Sequence, residues 1–100
     1  VKGVTLEQAG LAMFPDAPTE RGVRHLKELA KAAREGIPCF ILFVIQMKEI
    51  SCFAPNRQTH PAFADALTAA ADAGVTVLAM DCRVTKDSME IDASVPVRLG

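Results

Sequence analysis

A short, unbroken apolar segment constrains the fold of this chain more than any other feature. Seven consecutive apolar residues run from Cys39 to Ile45, after a Gly36-Ile37-Pro38 break and before the amide of Gln46. The run is short, lacks polar alternation and is rich in Val, Ile and Phe, which is typical of a strand that is covered on both faces. The sequence therefore predicts an α/β layer structure with Pro38 to Met47 as its central strand.

The composition narrows the class of protein. One hundred residues, half of them apolar and 23% charged, are enough for one domain, or for part of one, with a buried core. The formal net charge of −1 gives no overall attraction to nucleic acid, so any such contact needs a local basic patch. No apolar run reaches the roughly 18 residues of a membrane span, and no basic stretch precedes an apolar signal core. We therefore expect a cytoplasmic protein with no membrane partner.

The cysteines and histidines give no signal for a disulfide framework or for zinc. Cys39, Cys52 and Cys82 are 13 and 30 residues apart and form no C-x-x-C pair. An odd number of cysteines within apolar segments predicts reduced thiols. Neither His25 nor His60 has the ligand spacing of a zinc site around it.

The remaining sequence predicts two helices and several shorter strands. One helix is expected over residues 19–35, capped by Thr19 and ended by Gly36, and a second over residues 61–73, ended by Gly74. Further strands are expected at residues 1–6, 50–54 and 75–80, with a weak strand at 89–91 and an edge segment at 95–97.

The element order also predicts how these strands pair. Right-handed crossovers make residues 1–6, the central strand and residues 75–80 parallel neighbours. The tight connection Met47-Lys48-Glu49 favours an antiparallel hairpin between the central strand and residues 50–54. Leu11, Met13 and Phe14 are expected in a loop, anchored to the core, because glycine and prolines surround them.

One face of the first predicted helix is basic. Its apolar residues fall within an arc of about 120°, and the opposite side carries Arg21, Arg24, Lys27, Lys31 and Arg34. Glu20, Glu28 and Glu35 are interleaved with them, so the basic stripe is either a solvated face or a weak site for phosphate. Glu20 and Arg24 are likewise either an ordinary i, i+4 pair or part of an anion or metal site at the helix start.

Several blocks of the sequence are shared with a known family. They are Val1 to Leu6, the segment Phe14-Pro15-Asp16-Ala17-Pro18-Thr19-Glu20-Arg21-Gly22 with His25-Leu26, and the later blocks at residues 42–46, 53–56, 61–64 and 74–75. On these residues the chain resembles the sugar fermentation stimulation protein A family over essentially its whole length. One departure is His60-Pro61, where the family usually has Asp-Pro, and we expect it to alter only a helix cap.

The resemblance implies a fold and a function. It implies that residues 1–100 are a single C-terminal portion of a PD-(D/E)XK, restriction-endonuclease-like domain with a mixed, mainly parallel sheet, preceded in a longer protein by an oligonucleotide-binding barrel. It implies a DNA-binding protein, weak and non-specific, with a suggested regulatory role in sugar (maltose) metabolism. A Mg²⁺-dependent nuclease and a non-enzymatic interaction domain are the two alternatives.

The resemblance also implies candidate site residues. Lys2 matches the lysine of the metal-binding triplet, whose acidic members would precede Val1, so the metal site is incomplete in this sequence and Mg²⁺ or Mn²⁺ is implied only for the longer protein. Glu20 and Gln46 are the other catalytic candidates, and the basic stripe is the candidate DNA-binding surface. Structural roles stay open for the three catalytic candidates. Lys2 is then a solvated lysine, Glu20 forms an ion pair with Arg24, and Gln46 is a hydrogen-bonded residue at the end of a strand. We expect this chain alone to be inactive as a nuclease.

Overall fold

Strands and helices follow one another closely along the chain. The structure is a computed structural model that describes residues 2–4 and 6–99. Its elements, in chain order, are β1 (Lys2–Val4), β2 (Leu6–Gln8), β3 (Leu11–Phe14), α1 (Glu20–Arg34), β4 (Phe40–Ile45), β5 (Cys52–Pro55), α2 (Pro61–Ala73), β6 (Thr76–Val84) and β7 (Met89–Ser94). Val1 and Thr5 of the predicted first strand lie outside the described residues.

Both predicted helices are present, and their ends have the expected local chemistry. The Thr19 side chain accepts a hydrogen bond from the Gly22 N–H at 3.1 Å and so caps α1. Gly74 ends α2 with a φ of +111°, a conformation that glycine adopts without strain. No helix in the described part of the chain is long and apolar enough to cross a membrane.

The main sheet has the order β1-β4-β6-β7. β1 and β6 flank β4 in parallel, as the crossover rule predicts, whereas β7 joins β6 antiparallel. The expected mixed sheet is therefore present, and it is only partly parallel.

A second sheet, of order β2-β3-β5, corrects two predictions. Residues 11–14 were expected in a loop but form β3, because Ala9 and Gly10 adopt positive φ and turn the chain tightly from β2 into β3. The expected hairpin between β4 and β5 is also wrong, since β5 pairs in parallel with β3. Phe53 of β5 stacks on Phe43 of β4, with ring centroids 4.4 Å apart, so β5 contacts β4 through side chains instead of through backbone hydrogen bonds.

The core lies between the helices and one face of the main sheet. Phe14, Phe43, Phe53 and Phe63 form a chain of aromatic contacts that joins both sheets to α2. Gly22 lets α1 approach α2 closely, because a Cβ there would lie 3.1 Å from the Phe63 ring. Burial of this cluster fixes the position of α1 against the sheet.

The other face of the main sheet is open, which corrects the prediction of a central strand covered on both sides. Ile41, Phe43 and Ile45 point into the core, while Phe40 on the opposite face is 68% exposed. Leu78, which pairs with Leu42 across the open face, is 42% exposed. The apolar run thus supplies one buried face and one face that the described residues leave uncovered.

Candidate functional site: a basic cleft beside the first helix

A depression separates the N-terminal strand from the solvent side of α1. Its volume is about 460 Å³, and it is lined by Lys2 from β1 and by Arg21, Arg24, His25 and Glu28 from α1. Lys2 pairs with Phe43 in the sheet and therefore lies on the helix-covered face, which directs it towards α1. The first depression thus gathers three cations, one histidine and one carboxylate.

Lys2, Arg21 and Arg24 form no ion pair with a carboxylate in the described part of the chain. Within the described part of the chain, salt bridges involve Lys48, Arg57 and Arg83, and none involves Lys2, Arg21 or Arg24. In particular, Glu20 and Arg24 do not form the i, i+4 ion pair that sequence reasoning left open. Cations without a carboxylate partner are available to bind an anion.

A second depression, of about 360 Å³, adjoins the first along α1. It is lined by Glu20, Val23, Arg24, Lys27, His60 and Ala62, so Arg24 borders both. The Nδ1 atom of His60 accepts a hydrogen bond from the Thr19 N–H at 3.0 Å. Because Nδ1 is an acceptor, the ring is neutral and carries its proton on Nε2. His60 therefore presents one N–H donor that the Thr19 contact does not use.

The loop before α2 holds His60 in this position. The buried Asn56 side chain donates hydrogen bonds to the Pro15 carbonyl at 3.0 Å and to Thr59 Oγ1 at 2.8 Å. The His60 N–H in turn donates to the Asn56 carbonyl at 3.0 Å. His60 was expected to alter only a helix cap, but its ring makes no cap bond to α2 and instead binds the backbone at the start of α1.

The helical period explains how the candidate residues are distributed. At about 100° per residue, Arg21, His25 and Glu28 form one stripe, and Glu20, Lys27, Lys31 and Arg34 form the next, with Arg24 between them. The structure thus brings Lys2 together with Arg21 and Arg24, and Glu20 together with Lys27. Lys31 and Arg34 are exposed farther along α1 and line neither depression.

His25, Glu28 and His60 were not among the site residues expected from the sequence. His25 and Glu28 could have been predicted to lie beside Arg21, because they follow it at i+4 and i+7 on the same helix face. His60 could not, since its contact with Thr19 spans 41 residues.

Gln46 lies away from both depressions. Its Nε2 atom is 3.1 Å from where a Cβ on Gly3 would be, and Gly3 pairs with Val44 on the open face of the sheet. Its backbone N–H donates to the Val4 carbonyl at 3.0 Å. Lys2 and Gln46 therefore sit on opposite faces of β1, and Gln46 lines neither depression.

A separate polar cluster closes the end of the main sheet. Lys48 Nζ donates to Asp81 Oδ2 at 3.2 Å and also to Asp92, while Asp81 Oδ1 accepts from the Ala93 N–H at 2.9 Å. The hydrogen bond to Asp92 raises the pKa of Lys48, and the same bond lowers the pKa of Asp92. Burial raises the pKa of the neighbouring Cys82 thiol. All three cysteines are free thiols in the structure.

The described residues fit an anion better than a divalent cation. Within the described ranges, no three His, Cys, Asp or Glu side chains are grouped so that they could hold a metal ion. The first depression has one carboxylate, Glu28, beside three cations that repel a metal ion. Oxygen ligands for Mg²⁺ or Ca²⁺ would have to come from outside this set.

Together these features define an α/β domain that presents a basic cleft at the junction of a sheet edge and a helix. Residues 1–88 match the family model described as the sugar fermentation stimulation protein RE domain. The chain belongs to this family.

Two bacterial relatives illustrate the extent of the match. Homologues of sugar fermentation stimulation protein from Desulfitobacterium hafniense (strain Y51) and Ruminiclostridium cellulolyticum are 57% and 56% identical to this chain over 99 residues. The matches cover 99% of this chain but only 43% and 44% of the relatives, so the chain spans less than half of their length.

A solved structure shares the fold. The Pyrococcus furiosus SfsA protein, determined in complex with Ca²⁺, superposes with a TM-score of 0.90 at 33% identity. The superposition covers 97% of this chain and 42% of that protein.

Proposed function

We propose that the chain binds the phosphodiester backbone of DNA through the first depression, weakly and without reading sequence. The observation that carries this proposal is the convergence of Lys2, Arg21 and Arg24, none paired with a carboxylate within the described residues, on one open depression. Such cations bind the phosphate oxygens of DNA whatever its base sequence, so the affinity for DNA comes from charge.

Two features keep the expected affinity low. Glu28 lines the same depression and repels phosphate, and the net charge of the whole chain is −1. Neither α1 nor α2, the helices of the described part of the chain, presents Asn, Gln and Arg together in a pattern suited to reading base edges. The few phosphates neutralised should give a shallow salt dependence, with a slope of about −0.9 per phosphate contact.

The test is a binding titration with two unrelated fluorescein-labelled duplexes at several salt concentrations. Lys2→Gln and Arg21→Gln should each weaken binding equally for both duplexes and should reduce the salt slope by about 0.9. Lys86→Gln is the matched control, because it removes one positive charge from the β6–β7 turn, which lies outside both depressions. Absence of any duplex binding by the unmodified chain would refute the proposal and favour the interaction-domain alternative.

A metal-dependent nuclease is the second candidate, and it concerns the longer relatives. The family description names an RE domain, one relative was solved with Ca²⁺, and Lys2 lies on a strand as the lysine of a nuclease-like triplet would. Because the described residues do not supply a metal site, this chain alone should not cleave plasmid DNA in Mg²⁺ or Mn²⁺. In a longer protein that contains this chain, loss of Mg²⁺-dependent cleavage in the Lys2→Ala variant would support the nuclease and the nuclease-like fold. Unchanged cleavage would remove Lys2 from the site.

A regulatory role in sugar metabolism, including that of maltose, is part of the same proposal; the family name refers to sugar fermentation, and regulation and maltose are implied by the resemblance. Deletion of the gene should change transcription of sugar-utilisation genes, as measured by RNA sequencing. Restoring the gene with Lys2→Gln and Arg21→Gln should fail to reverse that change if DNA binding mediates it. Full reversal by the double variant would separate the regulatory role from the basic cleft.

A further inference from the structure

The second depression has the chemistry of a phosphate site. Arg24 and Lys27 line it without a salt-bridge partner in the described part of the chain, and the uncommitted Nε2–H of His60 adds a neutral donor. Glu20 is the one carboxylate among its lining residues. The second depression is therefore lined by two cations and a histidine that carries a free N–H donor, and by one carboxylate, that of Glu20.

His60 is held in place independently of any ligand. Its ring Nδ1 atom accepts a hydrogen bond from the Thr19 N–H, and its backbone N–H donates to the Asn56 carbonyl. The Asn56 side chain is in turn hydrogen-bonded to Pro15 and Thr59. Thr19 is itself fixed as the cap of α1. Because both the backbone N–H and the ring Nδ1 atom of His60 are hydrogen-bonded, the side chain loses little conformational freedom when it binds a ligand, which favours recognition of a small anion.

The two depressions adjoin each other on α1 and share one cation. They share Arg24, and the residues that distinguish them, Arg21 and Lys27, are six positions apart on α1. At 1.5 Å and about 100° per residue this corresponds to about 9 Å along the helix axis and about 120° around it, with Arg24 between the two. One nucleic-acid strand can therefore cross α1 at Arg24 with a phosphate in each depression.

We propose that the second depression is an additional phosphate subsite, in which Lys27 and the Nε2–H of His60 hold a second phosphate of the strand that is bound beside Lys2. This inference rests on the proposed DNA binding and extends it. It assigns His60 a direct ligand contact and makes Arg24 the residue shared by two phosphates.

The charges of the two ligating groups predict different behaviour in salt. Lys27 neutralises a phosphate, so Lys27→Gln should weaken duplex binding and also reduce the salt slope by about 0.9. The neutral His60 ring releases no counterion, so its removal should weaken binding with the slope unchanged. The depression is open to water, so the loss of this hydrogen bond should have the effect of losing an ordinary one, about a 3- to 10-fold weaker Kd.

The variant that isolates this contact is His60→Asn. Asparagine can keep an acceptor near the Nδ1 position for the Thr19 N–H, but it has no group at the Nε2 position. Duplex binding should weaken about 3- to 10-fold, with the circular-dichroism melting curve close to that of the unmodified chain. Lys86→Gln again serves as the control for general charge effects.

A measurement on the unmodified chain keeps the test valid even if His60→Asn fails to fold. In chain labelled with ¹⁵N-histidine, titration with a short oligonucleotide should shift the His60 Nε2 resonance more than the Nδ1 resonance. The second subsite is refuted if the chain binds DNA through Lys2 and Arg21 while Lys27→Gln and His60→Asn bind like Lys86→Gln, or if neither His60 nitrogen shifts at saturation. Failure of the unmodified chain to bind any duplex would instead refute the proposed function itself.

Discussion

The two faces of β4 have the same kinds of residue but opposite environments. Phe43 is fully buried against Phe14, Phe53 and Phe63, whereas Phe40, three positions earlier in the same strand, is 68% exposed. Both helices pack on the side of Phe43, and nothing among the described residues covers the side of Phe40. An unbroken apolar run therefore identifies a central strand without telling how many layers cover it.

The largest loss of stability should come from a substitution on the buried face of β4. Phe43→Ala removes a ring that contacts three others and leaves a cavity at the junction of both sheets with α2, so the free energy of unfolding should fall by about 3–5 kcal/mol. Urea denaturation followed by circular dichroism measures this, with Phe40→Ala as the matched control. Equal losses for the two variants would show that the open face is covered in solution.

The next largest loss of stability should come from a substitution at the contact between α1 and α2, the helices that cover this face. Gly22→Ala places a Cβ 3.0 Å from Thr19 Cγ2 and 3.1 Å from the Phe63 ring, so α1 must shift away from α2. Overpacking of this kind costs about 1–3 kcal/mol and outweighs the gain in helix propensity. The urea midpoint should fall by less than for Phe43→Ala, and a raised midpoint would mean that the helices are free to separate.

How far the sequence predicts the fold depends on whether the deciding contact is local. Both helices and the strands β4 and β6 are predicted to within a few residues, since capping, periodicity and glycine positions are read from neighbours in the sequence. The pairing of β5 with β3 is not, because it joins residues about 40 positions apart, such as Leu11 with Cys52. The uncovered face of β4 is missed for the same reason, since covering layers are a long-range property.

The residues of the candidate cleft were likewise predictable from the sequence only in part. The stripe of cations on α1 is visible in the sequence because helical spacing determines it. The partners that turn this stripe into two depressions, Lys2 from β1 and His60 from the loop before α2, are brought to it by tertiary packing. The resemblance suggested Lys2, but no pattern in the sequence pointed to His60.

A smaller, pH-dependent effect should come from the polar end of the sheet. Lys48→Met removes the ion pair with Asp92 and one of the two partners of Asp81, leaving the Ala93 N–H as the other. The lowered pKa of Asp92 means that its contribution is present above the ordinary value of 3.8 and is lost as pH falls below it. The raised pKa of Lys48 means that its contribution is present below the ordinary value of 10.5 and is lost as pH rises through the folded-state pKa.

The difference in stability between Lys48→Met and the unmodified chain should therefore be largest between about pH 4 and pH 10 and should shrink at both extremes. Thermal melting across this range measures it, and Lys86→Met controls for the loss of an exposed lysine outside the cluster. A difference that is independent of pH would show that the lysine stem packs against the sheet and that its charge contributes nothing.

The smallest effect should come from the open face. Phe40→Ala at the start of β4 removes a ring that already meets water over most of its surface, so little transfer free energy is lost, and the backbone pairing with Thr76 is kept. Phenylalanine favours strands more than alanine does, so a loss of about 0.5 kcal/mol is expected from propensity alone. Urea denaturation should resolve this against the much larger loss for Phe43→Ala. If Phe40→Ala costs several kcal/mol instead, the ring is buried in solution, and the open face of β4 must be covered by another molecule of the chain. In that case the loss should depend on protein concentration, whereas a loss that originates within one molecule should not.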